Sequence, residues 1–304
     1  MSRKGWLLFI ALSVIWGIPY LLIRVAVREL SPPELVFFRT ALAALVLVPL
    51  ALHRGALRPL FARWRWVVVY TVVEIAIPWL LLFHAEQRLS SSTAGLLVAS
   101  VPLIALVLSR ASGVADHFDA RRLAGLAIGF AGVAALVGID RGGTDPLAVA
   151  EMGGVALCYA TGPFIISRRL AGLSSLGVVT ASLVLTAVGY APAGLHDLPA
   201  SVSVQTVAAV ATLALICTAT AFLLFFALIR EVGPSRSTVI TYVNPLVAVI
   251  LGVVLLSEPL TLGIAIGMPL ILLGSVLGTA PSLAASGKAA EEATEGPVAG
   301  PPTP

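Results

Sequence analysis

Two charged residues lie within long apolar stretches of the sequence. Glu74 stands about nine residues into one stretch, and Arg39 stands about six residues into another. A charge at membrane depth costs roughly 2.5–3.5 kcal/mol on insertion scales, so both are candidates for function. Glu74 could accept a proton or anchor a substrate amine, and the planar fork of Arg39 could hold a carboxylate or phosphate. Alternatively, the two side chains pair with each other or reach the interface, and serve only helix packing.

Polar aromatic residues form a second set of candidates. Trp16 and Tyr20 are one helical turn apart and share a face, and Trp79, Tyr159 and Tyr242 also lie well inside apolar stretches. Their rings could form a stacking and cation–π surface for an organic solute. They could equally be packed or lipid-facing side chains.

Asn244 is the only asparagine in the chain and immediately precedes Pro245 in the middle of an apolar stretch. A proline removes a backbone donor and frees a carbonyl near Thr241, which leaves an acceptor beside an amide. A simple kink explains the pair as well. The predicted substrate-binding residues are therefore Trp16, Tyr20, Arg39, Glu74, Trp79, Tyr159, Tyr242 and Asn244.

The composition of the chain indicates whether these residues lie in water or in a lipid bilayer. The chain is 59% hydrophobic and 11% charged, with a mean hydropathy of +1.02, so it lacks the polar side chains that would cover a soluble domain. We predict an all-α integral membrane protein, because spans of about 20 apolar residues fit the hydrocarbon core. Ten spans are predicted, at residues 5–27, 33–52, 66–83, 90–109, 122–137, 147–167, 176–195, 204–228, 237–256 and 260–279.

The distribution of basic residues predicts the orientation of these spans. With the N-terminus in the cytoplasm and ten crossings, 14 Lys or Arg residues fall on the inner side, and only Arg28, Arg88 and Arg141 fall outside. This bias agrees with the positive-inside rule and places both termini in the cytoplasm. The net charge of +4 thus reports orientation, and we predict no nucleic-acid partner.

The sequence also repeats itself. At one constant offset Trp16 matches Tyr159, and the further matched pairs are Ser31 with Ser174, Pro49 with Pro192, Ser92 with Ser235 and Pro102 with Pro245. Each copy holds five spans, an odd number, so the second copy must enter the bilayer in the opposite orientation. Inverted repeats of this kind are typical of carriers whose site lies near the bilayer midplane. We predict two five-helix repeats, 1–142 and 143–281, followed by a disordered cytoplasmic tail, 282–304.

Several motifs resemble the EamA-type ten-helix members of the drug/metabolite transporter superfamily. They are Trp16-Gly17, the run from Ser31 to Arg39, the GLxxGxxGVAAL run from Gly125, Tyr242-Val243-Asn244-Pro245 and Leu256-Ser257-Glu258-Pro259-Leu260-Thr261. This resemblance implies an inner-membrane exporter of a metabolite or drug, often an amino acid or related solute. A channel or a lipid-moving protein with the same repeat is the alternative.

Other classes of function lack their motifs. The only Gly-Lys pair, Gly287-Lys288, precedes alanine, so no phosphate-binding loop exists for a nucleotide-driven motor. The sequence contains no His-Glu-x-x-His or Gly-x-Ser-x-Gly, and its four histidines are scattered. We therefore predict no enzyme, no catalytic residue, no metal and no cofactor. Proton coupling stays open, and so does a homodimer, because small-xxx-small pairs such as Gly125 and Gly129 could join helices within or between molecules.

Overall fold

The computed structural model describes residues 2–111, 120–139, 145–233, 237 and 240–279. Within these residues the fold is all helical, as predicted, and no strand occurs. Nine of the described helices are long and apolar enough to cross a membrane, and a tenth is apolar but shorter. The helices are α1 (Arg3–Ala26), α2 (Pro32–His53), α3 (Arg58–Glu86), α4 (Ser91–Ala111), α5 (Ala120–Ile139), α6 (Pro146–Arg169), α7 (Ser175–Gly194), α8 (Val204–Val232), α9 (Ile240–Leu256) and α10 (Leu262–Thr279).

The third helix differs most from its predicted span. It begins at Arg58 and ends at Glu86, and the fifth helix occupies Ala120–Ile139, also beyond its predicted span. In α3 the first residues form a tight 3₁₀ segment over Arg58–Arg63, with Leu60 buried, and the helix continues to Glu86, which is buried. The predicted boundary at residue 142 and the predicted tail, 282–304, lie outside the described residues.

Contacts between loops define two ends of the helix bundle. At the end where α1 begins, the Ser2 hydroxyl donates to Glu231 Oε1 at 2.5 Å. At the end where α2 begins, the backbone N–H of Ser91 donates to Glu258 Oε1 at 2.7 Å. We refer to them as the α1 end and the α2 end. Each contact joins segments that ten alternating crossings would place on one side.

The third and eighth helices widen near their middles. Both contain a π-helical turn, over Val72–Ala76 in α3 and over Leu215–Thr220 in α8. In α3 the wide turn precedes Pro78, which has no backbone N–H to donate to a carbonyl of the preceding turn. In α8 the Thr218 hydroxyl donates to the carbonyl of Leu213 at 2.8 Å and takes the place of a backbone donor. The two turns begin at Val72 and Leu215, which are separated by the same offset as the repeated residues of the sequence.

Glycines join α5 to α10 within one molecule. A Cβ added to Gly125 would lie 2.8 Å from the carbonyl oxygen of Gly274. One added to Gly132 would lie 3.0 Å from the carbonyl oxygen of Gly267. These backbones touch because no side chain separates them, which is the packing that small-xxx-small sequences allow in membranes.

The pairing of helices obeys a simple exchange rule. The α5 helix packs along α10, α2 along α7 and α4 against α9, while α1 packs against α8 and α9, and α6 packs against α3 and α4. Replacing each helix by the helix five positions away in the chain leaves this set of contacts unchanged. Two similar halves related by an approximate two-fold axis would produce this pattern.

The glycine contact predicts opposite effects of two alanine substitutions in α5. Gly132→Ala places a methyl against the α10 backbone, and we expect it to destabilise the fold by about 1–3 kcal/mol. Gly138 has no atom within 4 Å of an added Cβ, so Gly138→Ala should leave stability unchanged or raise it by up to about 1 kcal/mol through helix propensity. Thermal melting of the purified variants in detergent measures both. Equal melting temperatures would contradict the close contact.

Candidate functional site

Arg39 is buried near the middle of the molecule. The residue is 6% exposed, and its guanidinium carbon lies 3.8 Å from the ring centroid of Trp79 and 5.8 Å from that of Phe83. Its Nε donates to the Thr218 hydroxyl at 3.0 Å. Among the described residues it forms no salt bridge. A guanidinium has five N–H donors, so most of its donors are left for another partner.

Two tyrosines lie near this cation. Tyr159 of α6 lies within electrostatic range of Arg39 and close to Trp79. Tyr20 of α1 lies within electrostatic range of both Tyr159 and Arg39, and its ring lies beside Gly95 of α4. The structure thus brings together four predicted site residues from α1, α2, α3 and α6. We call Tyr20, Arg39, Trp79 and Tyr159 the central cluster.

Glu74 approaches the central cluster from the wide turn of α3. Its carboxylate packs against Gly162 of α6, where any side chain would occupy the same space. Its Oε2 atom is buried and has no hydrogen-bond partner. Tyr159 interacts electrostatically with both Glu74 and Arg39 and so connects the acid to the cation. The direct pairing of Glu74 with Arg39, the structural alternative considered from the sequence, does not occur.

Three predicted residues have their contacts elsewhere. Trp16 packs between α1 and α8, with ring centroids 6.1 Å from Phe222 and 4.9 Å from Phe225. The Tyr242 hydroxyl forms hydrogen bonds with α10, to the Ser275 carbonyl and with the Thr279 hydroxyl. The Asn244 amide faces the carbonyls of Ser13 and Ile240 at 3.1 and 2.9 Å, and its nitrogen is assigned as the donor to both. These three side chains tie helices together, and their predicted role in binding stays a prediction.

The two ends of the bundle differ. A cleft of about 430 Å³ lies at the α1 end between α2, α7 and α8, lined by Leu50, Leu223 and Phe226 and by the exposed Arg54 and Arg230. Its lining is mainly apolar, with the two arginines as its charged groups. A solute entering from the α1 end would meet these residues first.

A network of charged residues connects α3 to α6 at the α2 end. Arg88 donates to Asp145 Oδ2 at 3.1 Å and to Glu151 Oε2 at 2.5 Å. His84 Nδ1 lies 2.5 Å from Glu151 Oε1 and 3.0 Å from Arg88 Nη2. We call these four residues the α3–α6 network. They hold the α2 end of the bundle together at the point where the first half meets the second.

Comparison with known proteins agrees with this architecture. The EamA-like transporter family matches residues 3–138 and 151–279. The chain belongs to the EamA-like transporter family. It is 32% identical over 265 residues to the uncharacterized inner membrane transporter YedA of Escherichia coli K12, across 83% of this chain and 82% of the relative. It is 27% identical over 274 residues to the uncharacterized transporter YvbV of Bacillus subtilis, across 87% of this chain and 88% of the relative.

A solved structure shares the fold of this family member. A crystal structure with 21% sequence identity superimposes with a TM-score of 0.64 and covers 92% of this chain and 97% of that chain. At this identity the match establishes the fold alone. Together with the family match, it identifies a multi-pass membrane protein of the transporter class, as the sequence motifs predicted.

The sequence analysis missed two buried polar residues of this fold. Thr218, the partner of Arg39, lies in the wide turn of α8, and no motif marks it. Glu86 is fully buried at the end of α3, although the sequence placed it in a loop beside Gln87 and Arg88. Helical spacing could have found it, since positions 79, 83 and 86 share one face of a helix.

The α3–α6 network predicts a pH-dependent stability. The backbone N–H of Leu147 lowers the pKa of the Asp145 carboxyl below its ordinary value, and Arg88 adds to this shift. A lowered pKa stabilises the fold above the unfolded-state value, and this contribution disappears as pH falls through the folded-state value. The melting temperature of Asp145→Ala should therefore lie below that of the wild type at neutral pH, and the gap should narrow toward about pH 3. Asp197→Asn, at an exposed site, is the control. A gap that stays constant with pH would contradict the ionic role.

Proposed function

We propose that the chain is a secondary transporter that exports a small organic solute, amino-acid-like in its charges, across the inner membrane by alternating access. Its N- and C-termini lie in the cytoplasm, so the α1 end faces the cytoplasm. The single observation that carries the proposal is the central cluster. It presents a buried cation and aromatic rings to the interior, at the meeting of helices from both halves.

An inverted repeat of five helices supports alternating access. The family matches the chain twice, at residues 3–138 and 151–279. The wide turns of α3 and α8 occupy equivalent positions of the two halves, and the main helix contacts described above are unchanged when the halves are exchanged. Two antiparallel halves of similar structure have two packings of similar energy, each open to one side.

Arg39 is the anchor for a carboxylate. Its guanidinium is fixed by the Trp79 face and by Thr218, and its unused N–H donors match the two oxygens of a carboxylate in a planar, bidentate arrangement. Tyr20 and Tyr159 line the same space and offer ring faces to the apolar part of a solute. An unpaired guanidinium in an apolar interior gains most from an anionic partner, which gives the site its charge preference.

Glu74 is the second point of attachment. Its unpartnered Oε2 can accept a hydrogen bond from an ammonium group or take up a proton, and Tyr159 lies within electrostatic range of both Glu74 and Arg39. A solute with a carboxylate at one end and an amine at the other would satisfy both buried charges at once. This complementarity favours a zwitterion over a simple anion.

The present conformation, with a cleft at the α1 end and a charged network at the α2 end, corresponds to one state of the transport cycle. The cleft at the α1 end gives a solute access from the cytoplasm, while the α3–α6 network keeps the α2 end together. The opposite state would require this network to separate and the cleft to close. An exporter loads its solute in the first state and releases it in the second.

A thermal-shift screen of the purified protein against a panel of metabolites tests the ligand class. Zwitterionic amino acids should raise the melting temperature of the wild type. Arg39→Lys should weaken the affinity for the amino acid about tenfold or more, so that a higher concentration is needed for the same rise in melting temperature. The reason is that a charge-assisted hydrogen bond contributes about 1.5–3 kcal/mol, and about 1.4 kcal/mol corresponds to a factor of ten in affinity. Arg28→Lys, at an exposed position, is the matched control. Flux of the stabilising compound into proteoliposomes should saturate, whereas flux that never saturates would indicate a channel.

Replacement of Glu74 separates its two roles. If Glu74 carries a proton, Glu74→Gln should abolish flux driven by a pH gradient while exchange of labelled for unlabelled solute continues, because glutamine cannot release a proton. If Glu74 anchors the amine, exchange should fall as well. Proteoliposomes with and without a pH gradient provide both measurements. A variant that loses neither activity would remove Glu74 from the mechanism.

A further inference from the structure

A second carboxyl is buried on α3 and has no place in the solute site described above. Glu86 is 0% exposed, and neither of its carboxylate oxygens has a hydrogen-bond partner. An ionised carboxylate that is removed from water needs donors or a paired cation, or it takes up a proton instead. The groups around Glu86 decide between these outcomes.

The nearby cations are engaged elsewhere. Arg24 of α1 donates to the backbone carbonyl of Glu86 at 2.5 Å and not to its carboxylate. Arg39 bonds to Thr218 and stacks on Trp79. Neither arginine forms a salt bridge with Glu86 within the described part of the chain. Both arginines interact with the Glu86 carboxyl electrostatically, without a direct contact.

Glu258 favours the neutral form of Glu86. Its carboxylate interacts electrostatically with that of Glu86, and the Tyr20 phenol also lies within electrostatic range. The Glu258 carboxylate accepts the backbone N–H of Ser91 at 2.7 Å and that of Ser92 at 3.0 Å, and the Ser92 hydroxyl adds a third bond at 2.6 Å. Three donors stabilise the charge on Glu258. Its negative charge opposes a second one on Glu86, which has no donor of its own.

We propose that Glu86 is a proton-binding site, and that in this conformation its carboxyl carries the proton. The proposal rests on the proposed transport function and adds the ion that accompanies the solute. Binding forms one O–H bond to a carboxylate oxygen. Release breaks that bond and transfers the proton to water.

The place of Glu86 in the fold determines the side of release. It lies at the α2 end of α3, two residues before Arg88 of the α3–α6 network. Separation of this network would open the same end of α3 to water. A carboxylate that is then hydrated can lose its proton, whereas in the present conformation it is sealed. Proton exchange at Glu86 is thereby restricted to the state that is open at the α2 end.

Infrared spectroscopy of the full-length protein in detergent tests this site with the proton as the only probe. At neutral pH the wild type should show the C=O stretching band of a protonated carboxyl, which shifts in deuterated water. Glu86→Gln should remove the part of the band that belongs to one carboxyl. Glu74→Gln, recorded in parallel, identifies any part due to Glu74. Glu231→Gln, at an exposed position of α8, is the control and should leave the band unchanged.

Each outcome decides the proposal. An identical band in the wild type and in Glu86→Gln would overturn it, whatever the solute flux. If Glu86→Gln does not fold, Glu86→Asp keeps a carboxyl and should move the band to another frequency, and an unmoved band would be equally decisive against it. A Glu86 band in a protein that moves no solute supports the proton site and overturns transport. Solute flux without a Glu86 band does the reverse.

Discussion

The burial of the Arg39 guanidinium is the constraint on which the rest of the site depends. A cation in an apolar interior is unfavourable unless the surrounding groups replace its hydration, and here the Trp79 and Phe83 rings and the Thr218 hydroxyl contribute to this. A lysine ammonium, which is more strongly hydrated and has no flat face, would not be satisfied by aromatic rings and one hydroxyl. The remaining N–H donors are the basis on which we propose an anionic group in the solute.

The two halves share a scaffold but not a chemistry. At the offset of the sequence repeat, Arg39 corresponds to Ser182, Glu74 to Cys217 and Trp79 to Phe222. Ser182 accepts a hydrogen bond from Thr71 at 2.9 Å, a small neutral contact where the first half has a cation. Equivalent positions of the two halves therefore carry different side chains, and Arg39 and Glu74 belong to the first half.

The fold was predictable from the sequence to a much greater extent than the site. Runs of apolar residues determined the spans, because a bilayer imposes their length, and the family motifs were confirmed. The position of Arg39 and Glu74 within membrane spans followed from their surroundings in sequence. The stacking of Arg39 on Trp79 and its bond to Thr218 did not, since they join residues from α2, α3 and α8. Glu86 was missed because polar neighbours at a helix end resemble a loop, although tertiary packing buries Glu86 itself.

Equivalent positions of the two halves form ion pairs of unequal strength at the two ends of the bundle. Arg88 at the α2 end corresponds to Glu231 at the α1 end, at the same offset as the other repeated pairs. Arg88 contacts two carboxylates, and the Glu151 side chain is only 10% exposed, whereas Lys4 lies 3.7 Å from Glu231 with its own side chain 72% exposed. Exposed pairs contribute about 0–1 kcal/mol, and networks contribute more. The ion pair at the α1 end is therefore the weaker of the two, and it lies at the same end of the bundle as the cleft.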